Sequence, residues 1–516
     1  MQPSRRVEPP ANGNRRPNIL FVLNDQQSKR TVGFSGDDLA RTPHLDGLAN
    51  DGAVFRHCYT TCPCCTPARA SLQTGLYPFA HGMQTNLFMK GCMLHELVDH
   101  PDLLSRRLLG AGYRPLLTGK WHLGYGPAAR NDPYYQAHYR DIDHHLYDVP
   151  LPEQYHQASG LPTDVGYLAD DFPGHGGGGH AYPQYKRYLR DRGLTHDLRP
   201  SEVSGCAEVV SPIESTIDHF LADRAIDLIG TPAASDDPFF CMLNFWGPHH
   251  PAYVPTEFLE PFRGVTIDPP PSWDIDLDQR PRIHNVTRNA RDWADFEEQL
   301  RYAYAYSAFI DHQIGRVLHH LRNIGELENT WIIFAADHGD SQGVQAGLAN
   351  KSFHFFESAA GVPLLIRPPG GLEARRDIEA LVNLTDLYAT VTDIAGAAPP
   401  TTPRHGRSLV GWVRGEPPVD WPDAVVVEGS GLSHCLMSQR MLRCGQWKYV
   451  FNAGDMDELY DLEEDPHELI NLAAENEAHP ELPRLRDRLH DWMIEHRDQL
   501  ANQFAALRLR PTCQTV

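Results

Sequence analysis

The chain lacks several features that would place it in a class at once. It has no run of about 18 consecutive apolar residues, so no membrane-spanning helix is predicted. Its polar, proline-rich start has no apolar segment of a secretory signal. Ten cysteines in 516 residues are too few for a disulfide scaffold. We therefore expect a cytoplasmic protein with reduced thiols that does not bind membranes.

Positive charge is also scarce. Lys and Arg total 46 against 67 Asp and Glu, which gives a net charge of −21 and predicts no nucleic-acid binding. Any anionic substrate must then be drawn in by a local positive site, because the overall field repels it. The 41% hydrophobic content and nine tryptophans nevertheless indicate a folded protein, and the length predicts two or three structural units.

Apolar runs and helical patterns alternate along most of the chain. Strands are predicted at 18–24, 114–118, 239–245, 331–336 and 362–367, and helices at 42–52, 297–324 and 386–395. Short apolar strands that alternate with helices are typical of a parallel sheet covered on both faces. The predicted fold class is therefore α/β, with a large central, mostly parallel sheet flanked by helices.

A proline-rich segment at 397–403 indicates a linker. We predict a catalytic α/β domain at 15–400 and a smaller C-terminal α+β subdomain at 405–505. The irregular stretch 131–198 and the segment 273–293 are the expected places for substrate specificity, since long loops often line binding sites.

One short stretch is the strongest local indication of a catalytic function. It is Cys65-Thr66-Pro67-Ala68-Arg69, and Gly75 follows after a run of good helix formers. A thiol near a helix start and a guanidinium is acidified and reactive. A buried cysteine beside a turn is the alternative interpretation. A structural zinc site is not expected from Cys65 and its neighbouring cysteines, because a second ligand pair is missing nearby.

Polar side chains follow the predicted strands where those strands end. They are Asp25-Gln26, Lys120 with His122, His249, and Asp337-His338, while Lys351 precedes the fifth strand. Each of these residues alone is weak evidence for a site, since an Asp after a strand is often a helix cap. In parallel sheets, however, sites form at the carboxyl ends of strands. Together the residues supply oxygen ligands, an imidazole and cations, which suit a divalent cation beside a tetrahedral anion.

From about residue 17 to about residue 471 the chain resembles the sulfatases of the alkaline-phosphatase-like superfamily. The matching motifs, in family order, are Pro17-Asn18-Ile19-Leu20 leading to Asp25; Thr42-Pro43-His44-Leu45-Asp46; the Cys65 motif; Thr118-Gly119-Lys120-Trp121-His122-Leu123-Gly124; Pro248-His249; Asp337-His338-Gly339; Lys351 before Val362-Pro363-Leu364; and Glu458-Leu459-Tyr460-Asp461-Leu462 with Asp465-Pro466. In that family the cysteine is oxidised to formylglycine, whose hydrated aldehyde is the nucleophile.

The resemblance implies roles for the individual residues. Metal ligands would be Asp25, Gln26, Asp337, His338 and the formylglycine made from Cys65, with Gln26 either ligating or only orienting. Arg69 would steady the formylglycine, and Lys120, His122, His249 and Lys351 would surround the sulfate. Gln26 and His338 stand where many members have Asp and Asn. The implied cofactor is one divalent ion, calcium first, with manganese or magnesium as alternatives.

The implied function is hydrolysis of a sulfate ester to an alcohol and inorganic sulfate. A phosphonate monoester hydrolase or phosphodiesterase of the same superfamily is the alternative, and a non-catalytic binding protein on this fold is a third. Expected partners are a sulfated small molecule or saccharide and the formylglycine-generating enzyme, with a homo-oligomer also open. The organic part of the substrate cannot be read from the sequence.

Overall fold

The protein is described from a computed structural model that covers residues 15–87, 96–124, 161–171, 183–230, 237–288, 291–348, 351, 353–432, 435–476 and 478–510. Of the predicted specificity loop 131–198, residues 131–160 and 172–182 lie outside these ranges. None of the described helices combines the length and apolar composition that crossing a lipid bilayer requires.

The strands and helices follow one another in α/β order through most of the chain. The strands are β1 Asn18–Asp25, β2 Ala53–Tyr59, β3 Arg114–Gly119, β4 Ala169–Asp171, β5 Leu198–Pro200, β6 Cys206–Val209, β7 Phe239–Pro248, β8 Ala252–Pro255, β9 Thr330–Ala336, β10 Gly361–Val362, β11 Leu364–Arg367, β12 Arg376–Asn383, β13 Ala424–Leu432, β14 Cys435–Cys444, β15 Trp447–Asn452 and β16 Glu458–Asp461. The helices are α1 Pro43–Asn50, α2 Cys65–Thr74, α3 Pro78–His81, α4 Leu104–Gly110, α5 Pro183–Arg192, α6 Ile217–Gly230, α7 Thr256–Leu259, α8 His284–Thr287, α9 Trp293–Asn323, α10 Glu357–Ala360, α11 Leu384–Ile394, α12 Val410–Arg414, α13 Leu472–Glu475, α14 Glu481–His496 and α15 Gln503–Leu509.

A nine-stranded, mostly parallel sheet forms the centre, as predicted. Its order is β10-β2-β11-β9-β1-β7-β3-β4, and β12 pairs with β2. The strand β1 runs parallel to both β7 and β9, and β3 runs parallel to β7. The segment 362–367 is an exception to the predicted pattern. It forms two strands on either side of Pro363, and both pair antiparallel with their neighbours.

Both faces of the central sheet are buried against helices. Because side chains alternate along a strand, Leu20 and Val22 of β1 pack into the core on the α9 face. Ile19, Phe21 and Leu23 pack into the core on the face of α2 and α11. The interior of the molecule therefore lies on both sides of β1, which runs through its middle.

The C-terminal region carries a separate antiparallel sheet of four strands, β13-β14-β15-β16. One of its faces packs against α14, with Leu442 and Leu485 in the shared core. The other face packs against the large sheet and its loops, where Val427 meets Tyr59 and Phe355. A third, three-stranded sheet has the order β5-β6-β8.

Candidate active site and metal centre

The candidate site lies at the carboxyl edge of the central sheet. Asp25 is the last residue of β1, and Asp337 follows β9 directly. Lys120 follows β3 in the same way, and His249 follows β7. These four strands are neighbours and run parallel, so their carboxyl ends meet at one edge. The predicted convergence of side chains from distant parts of the sequence is therefore the observed arrangement.

Cys65 is the first residue of α2, and its thiol faces the strand ends. Its Sγ atom lies 3.1 Å from His338 Nε2 and 3.6 Å from Asp25 Oδ1. The helix ends at Gly75, whose φ of +67° lies in the left-handed region that glycine adopts readily. Thr66 fixes the start of the helix, because its backbone N–H donates to Asn86 Oδ1 at 2.9 Å. The short helix thus holds the thiol rigidly at the sheet edge.

Four buried side chains form a compact set of candidate metal ligands. Asp25, Cys65, Asp337 and His338 each offer one ligand atom, and these atoms lie within 4.8 Å of one another. The Nδ1 atom of His338 is 2.9 Å from the Gly339 carbonyl oxygen, which fits a donated N–H. The Nε2 lone pair then faces the other three ligands, as for a metal-binding histidine oriented by a backbone carbonyl. The set fits a divalent cation.

The electrostatics of the site reflect closely spaced carboxylates among cations. Burial and the neighbouring Asp25 raise the pKa of Asp337, against the opposing effects of His338 and Arg69. For Asp25 itself, burial and Cys65 raise the pKa, but Lys120, His249 and Arg69 outweigh them, and the net pKa lies well below its ordinary value.

The thiol of Cys65 is acidified in the same surroundings. Burial raises its pKa, but the cations Lys120 and Lys351 and the ring of His338 bring the net pKa well below the ordinary value. This is the microenvironment of a reactive cysteine and not of an inert core thiol. The interpretation of Cys65 as a structural cysteine beside a turn is therefore disfavoured.

Arg69, one turn further along α2, contacts three other residues of the site. Its Nε donates to Asp337 Oδ2 at 2.9 Å, its Nη1 donates to the Lys120 carbonyl oxygen at 2.9 Å, and its Nη2 lies 3.8 Å from Asp25 Oδ1. The guanidinium is buried, with 2% of the residue exposed. Its position explains why the motif needs an arginine four residues after the cysteine, since one helical turn brings the two side chains to the same face.

A tight turn after β3 positions Lys120 and His122. Gly119 has φ +97°, and a Cβ atom there would lie 1.8 Å from the Asn244 carbonyl oxygen of β7. Lys120 Nζ forms an ion pair with Asp25. His122 is hydrogen-bonded to Cys65, and burial lowers its pKa to about 4, so it is a neutral base near pH 7. The glycine permits the close approach that points both side chains at the thiol.

Gln26 and Lys351 meet on the other side of the site, together with a residue that sequence reasoning missed. Lys351 Nζ donates to Gln26 Oε1. Gln26 Nε2 donates to Asp340 Oδ2 at 2.7 Å. Asp340 was not predicted, because an Asp three residues after Asp337 in a Gly-containing turn has the appearance of a turn former. Its proximity to Asp337 in sequence was the available signal.

All the predicted site residues are close together. His249 is half-buried after β7 and is the least enclosed, whereas the other nine are buried. Besides Asp340, sequence reasoning missed Asn244 and Asn86, which hold the Lys120 turn and the start of α2. Single asparagines that bond backbone groups carry no sequence pattern by which they could have been found.

Family models cover most of the chain. The sulfatase model matches residues 17–397, and the model for the C-terminal part of N-sulphoglucosamine sulphohydrolase matches residues 345–497. The chain is 28% identical to the uncharacterized sulfatase YidJ of Escherichia coli over 513 residues, which covers 96% of this chain and 90% of that protein. It is also 28% identical to a choline-sulfatase of Rhizobium meliloti, with 96% and 90% covered.

Among solved structures, the phosphonate monoester hydrolase of Agrobacterium radiobacter is similar to this chain. Its TM-score is 0.72 and its sequence identity 26%, with 94% of this chain and 96% of that chain covered. The match of the sulfatase model extends over well more than half of the chain and includes every predicted site residue. The predicted membership is thereby confirmed, and the chain belongs to the sulfatase family.

Proposed function

We propose that this protein hydrolyses a sulfate ester to an alcohol and inorganic sulfate, with a formylglycine derived from Cys65 as the nucleophile. The observation that carries the proposal is the position of Cys65. Its thiol lies 3.1 Å from His338 Nε2, beside Asp25, at the sheet edge where Lys120 and Lys351 also meet. The same sheet edge therefore holds the precursor of a nucleophile, a set of ligands for a cation, and two lysines that can bind an anion.

Asp25, Asp337 and His338 would hold the divalent cation, and the residue derived from Cys65 would complete the set. When bound, the cation and the formylglycine supply an acidified hydroxyl that can attack sulfur and a second hydroxyl whose deprotonation releases sulfate. Carboxylate oxygens suit calcium, which we propose as the ion, with manganese or magnesium as alternatives. Elemental analysis of the purified protein tests the choice of ion.

The protein's own groups would act on charge and protons. Lys120 and Lys351 bring fixed positive charge to the site, where it stabilises the negative charge that builds on the sulfate oxygens. His122, hydrogen-bonded to Cys65 and neutral at pH 7, would accept a proton at that residue. His249 or Lys351 would donate the proton that the leaving alcohol oxygen needs. Arg69 would hold Asp337 and the Lys120 backbone in place relative to α2 through its two hydrogen bonds.

The modification itself has a structural requirement. Cys65 is 1% exposed, and α2 is buried along its whole length. An enzyme that oxidises the thiol must reach it before this part of the chain is packed. We therefore propose that the formylglycine-generating enzyme acts on the chain before it folds completely.

We propose that a cavity along the segment 273–293 takes the organic part of the substrate. It has a volume of about 480 Å³, and its lining includes Trp273, two arginines, Arg288 and Arg291, and one acidic residue, Asp274. An aromatic side chain and two guanidinium groups suit a sugar that carries further anionic groups. We propose a sulfated saccharide as the substrate class. Arg288→Ala should raise KM for a multiply sulfated saccharide but not for a small aryl sulfate.

A phosphonate monoester hydrolase or phosphodiesterase remains the second candidate, because the chain is similar to such an enzyme over 94% of its length. The test is to compare kcat/KM of the purified protein for 4-nitrophenyl sulfate and for bis(4-nitrophenyl) phosphate. The proposal predicts the higher value for the sulfate ester. Faster turnover of the phosphodiester would instead support the second candidate.

Three further points are proposals of the same kind. We propose a division into a catalytic domain at 15–400 and a C-terminal subdomain at 405–505, supported by the separate four-stranded sheet and its core with α14. A cytoplasmic location is tested by cell fractionation, and a homo-oligomer is tested by light scattering of the purified protein.

A further inference from the structure

We infer that Asp340 and Gln26 form a positioning relay that holds Lys351 against the reacting ester, and that Gln26 acts through this relay and not as a ligand of the cation. The inference rests on the proposed function, because Lys351 is taken to act on the ester. It assigns a role to Asp340 and chooses between the two roles left open for Gln26.

The chemistry of the partners fixes the orientation of the Gln26 amide. An ammonium group can only donate hydrogen bonds, so the group that faces Lys351 Nζ must be the amide oxygen. An ionised carboxylate can only accept them, so the group that faces Asp340 Oδ2, 2.7 Å away, must be the amide nitrogen. The two contacts agree, and exchanging the amide atoms would spoil both. Since it accepts from Lys351, the amide oxygen has one of its two lone pairs occupied.

The relay is anchored at both ends. Asp340 Oδ1 accepts a hydrogen bond from the backbone N–H of Gln342 at 3.0 Å, which leaves Oδ2 for Gln26. The backbone N–H of Gln26 donates to Asp337 Oδ1 at 3.0 Å. The exposed fractions of Asp340, Gln26 and Lys351 are 5%, 2% and 3%. Buried hydrogen bonds of this kind restrict side chains to one arrangement.

Gln26 also has a strained backbone, with φ +58° in the left-handed region. A non-glycine residue in this region costs about 1–3 kcal/mol, and such strain persists where the surrounding structure dictates the conformation. In this conformation Gln26 places its backbone N–H on Asp337 while its amide lies between Lys351 and Asp340. The strain is therefore explained by the relay.

A neutral amide between the ammonium and the carboxylate has a chemical advantage. A carboxylate in direct contact with Lys351 would offset part of the positive charge that a sulfate ester needs, as Asp25 already does for Lys120. The amide holds the ammonium by one hydrogen bond and leaves its charge and its other N–H groups for the ester. Asp340 orients the Gln26 amide and does not itself contact Lys351. This is a positioning role for both residues.

The experiment is a double-mutant cycle with a metal measurement on the full-length protein. The variants are Gln26→Ala, Lys351→Ala, their combination, and Asp340→Asn. Gln345→Ala is a control from the same loop, because Gln345 bonds to Ser358 and not to Lys351. Asp25→Asn is the control for a lost metal ligand. For each variant, kcat, KM, melting temperature and metal content per chain are measured.

We expect Gln26→Ala and Asp340→Asn each to lower kcat by about 10- to 100-fold, the size of effect that misplacing a catalytic group has. The combined Gln26→Ala and Lys351→Ala variant should be no worse than Lys351→Ala alone, because residues that act as a unit are not additive. Metal content should remain that of the unchanged protein, whereas Asp25→Asn lowers it. Gln345→Ala should keep the kcat of the unchanged protein.

Two results would overturn the inference. Loss of metal in Gln26→Ala, to the level of Asp25→Asn, would make Gln26 a ligand. If Gln26→Ala and Lys351→Ala lower kcat independently, so that the combined variant loses the product of the two factors, the two residues do not act as a unit and the relay is refuted. The cycle is run on whichever ester the unchanged protein hydrolyses fastest. A preference for phosphodiesters would therefore refute the proposed sulfate specificity and still leave the relay open to a clear result.

Discussion

Replacing Gly119 by alanine tests how the fold positions Lys120, the lysine proposed to act on the sulfate. Gly119 ends β3 with φ +97°, a conformation that L-residues with a side chain rarely adopt. The new methyl group would lie 1.8 Å from the Asn244 carbonyl oxygen, which is backbone of β7 and cannot rotate away. The two strands must therefore separate at the point where Lys120 begins.

The expected cost follows from the contacts that this separation breaks. Lys120 N–H donates to the Asn244 carbonyl oxygen at 3.0 Å, and Asn244 Nδ2 donates to the Lys120 carbonyl oxygen at 2.9 Å. Losing two hydrogen bonds of about 0.5–1.5 kcal/mol each, with backbone strain of about 1–3 kcal/mol, lowers the free energy of unfolding by about 2–6 kcal/mol. Displacement of Lys120 should also lower kcat by about 100-fold in the folded fraction.

Chemical unfolding in urea and steady-state kinetics on the same samples measure both effects. The matched control is Gly47→Ala, because Gly47 lies in α1 and an added Cβ meets nothing within 4 Å. That change should stabilise the helix by about 0.5–1 kcal/mol and leave kcat alone. A Gly119→Ala protein with unaltered stability and unaltered kcat would refute the argument that this glycine sets the position of Lys120.

Three other predictions concern the nucleophile, the cation and a buried carboxyl group. Cys65→Ala should keep the circular-dichroism spectrum and melt no lower than the metal-free protein, because it loses only one ligand of the cation, but should lower kcat by about 10⁴-fold or more, as expected when a nucleophile is lost; retained turnover would exclude Cys65. Removal of the cation with EDTA should abolish turnover and lower the melting temperature, since an ion at about 100 times its Kd stabilises the fold by about 2.7 kcal/mol; calorimetry that shows no shift would contradict the metal site. Burial raises the pKa of Glu428 from its ordinary 4.5 to about 8. The folded state then binds this proton more tightly than the unfolded state, so the stabilisation is complete below pH 4.5 and is lost as the pH rises to about 8. Glu428→Gln should flatten this dependence in melting curves, and parallel curves for both proteins would contradict it.

The buried part of the fold was predictable from the sequence because it has strong apolar signals. The runs that became β1 and β9 are continuous and hydrophobic, and they were predicted to within one residue at each end. β2 was missed because Arg56 and His57 interrupt its apolar pattern. β12 was missed because its charged residues face outward at the sheet edge. The antiparallel pairing of 362–367 could not be predicted, since a short apolar run does not encode its neighbour.

The site was predictable to the level of which residues meet, and less so in how they meet. The strand ends predicted that Asp25 and Asp337 meet at one edge of the sheet, and the resemblance to the sulfatases implied that Cys65 joins them. The direction of the Gln26 amide could not be predicted, because it depends on contacts with Lys351 and Asp340, which are more than 300 residues away in sequence. Side-chain hydrogen bonds across such distances leave no local pattern.

The central claim is that Cys65 becomes the aldehyde nucleophile of a sulfate ester hydrolase. Peptide mass spectrometry of the segment that contains Cys65, on enzyme whose turnover of a sulfate ester has been measured, tests it most directly. Oxidation exchanges sulfur for oxygen, so the account predicts a peptide of lower mass that reacts with aldehyde reagents. The modified fraction should rise and fall with specific activity across preparations. A fully active enzyme in which every Cys65 is an unmodified thiol would contradict the account.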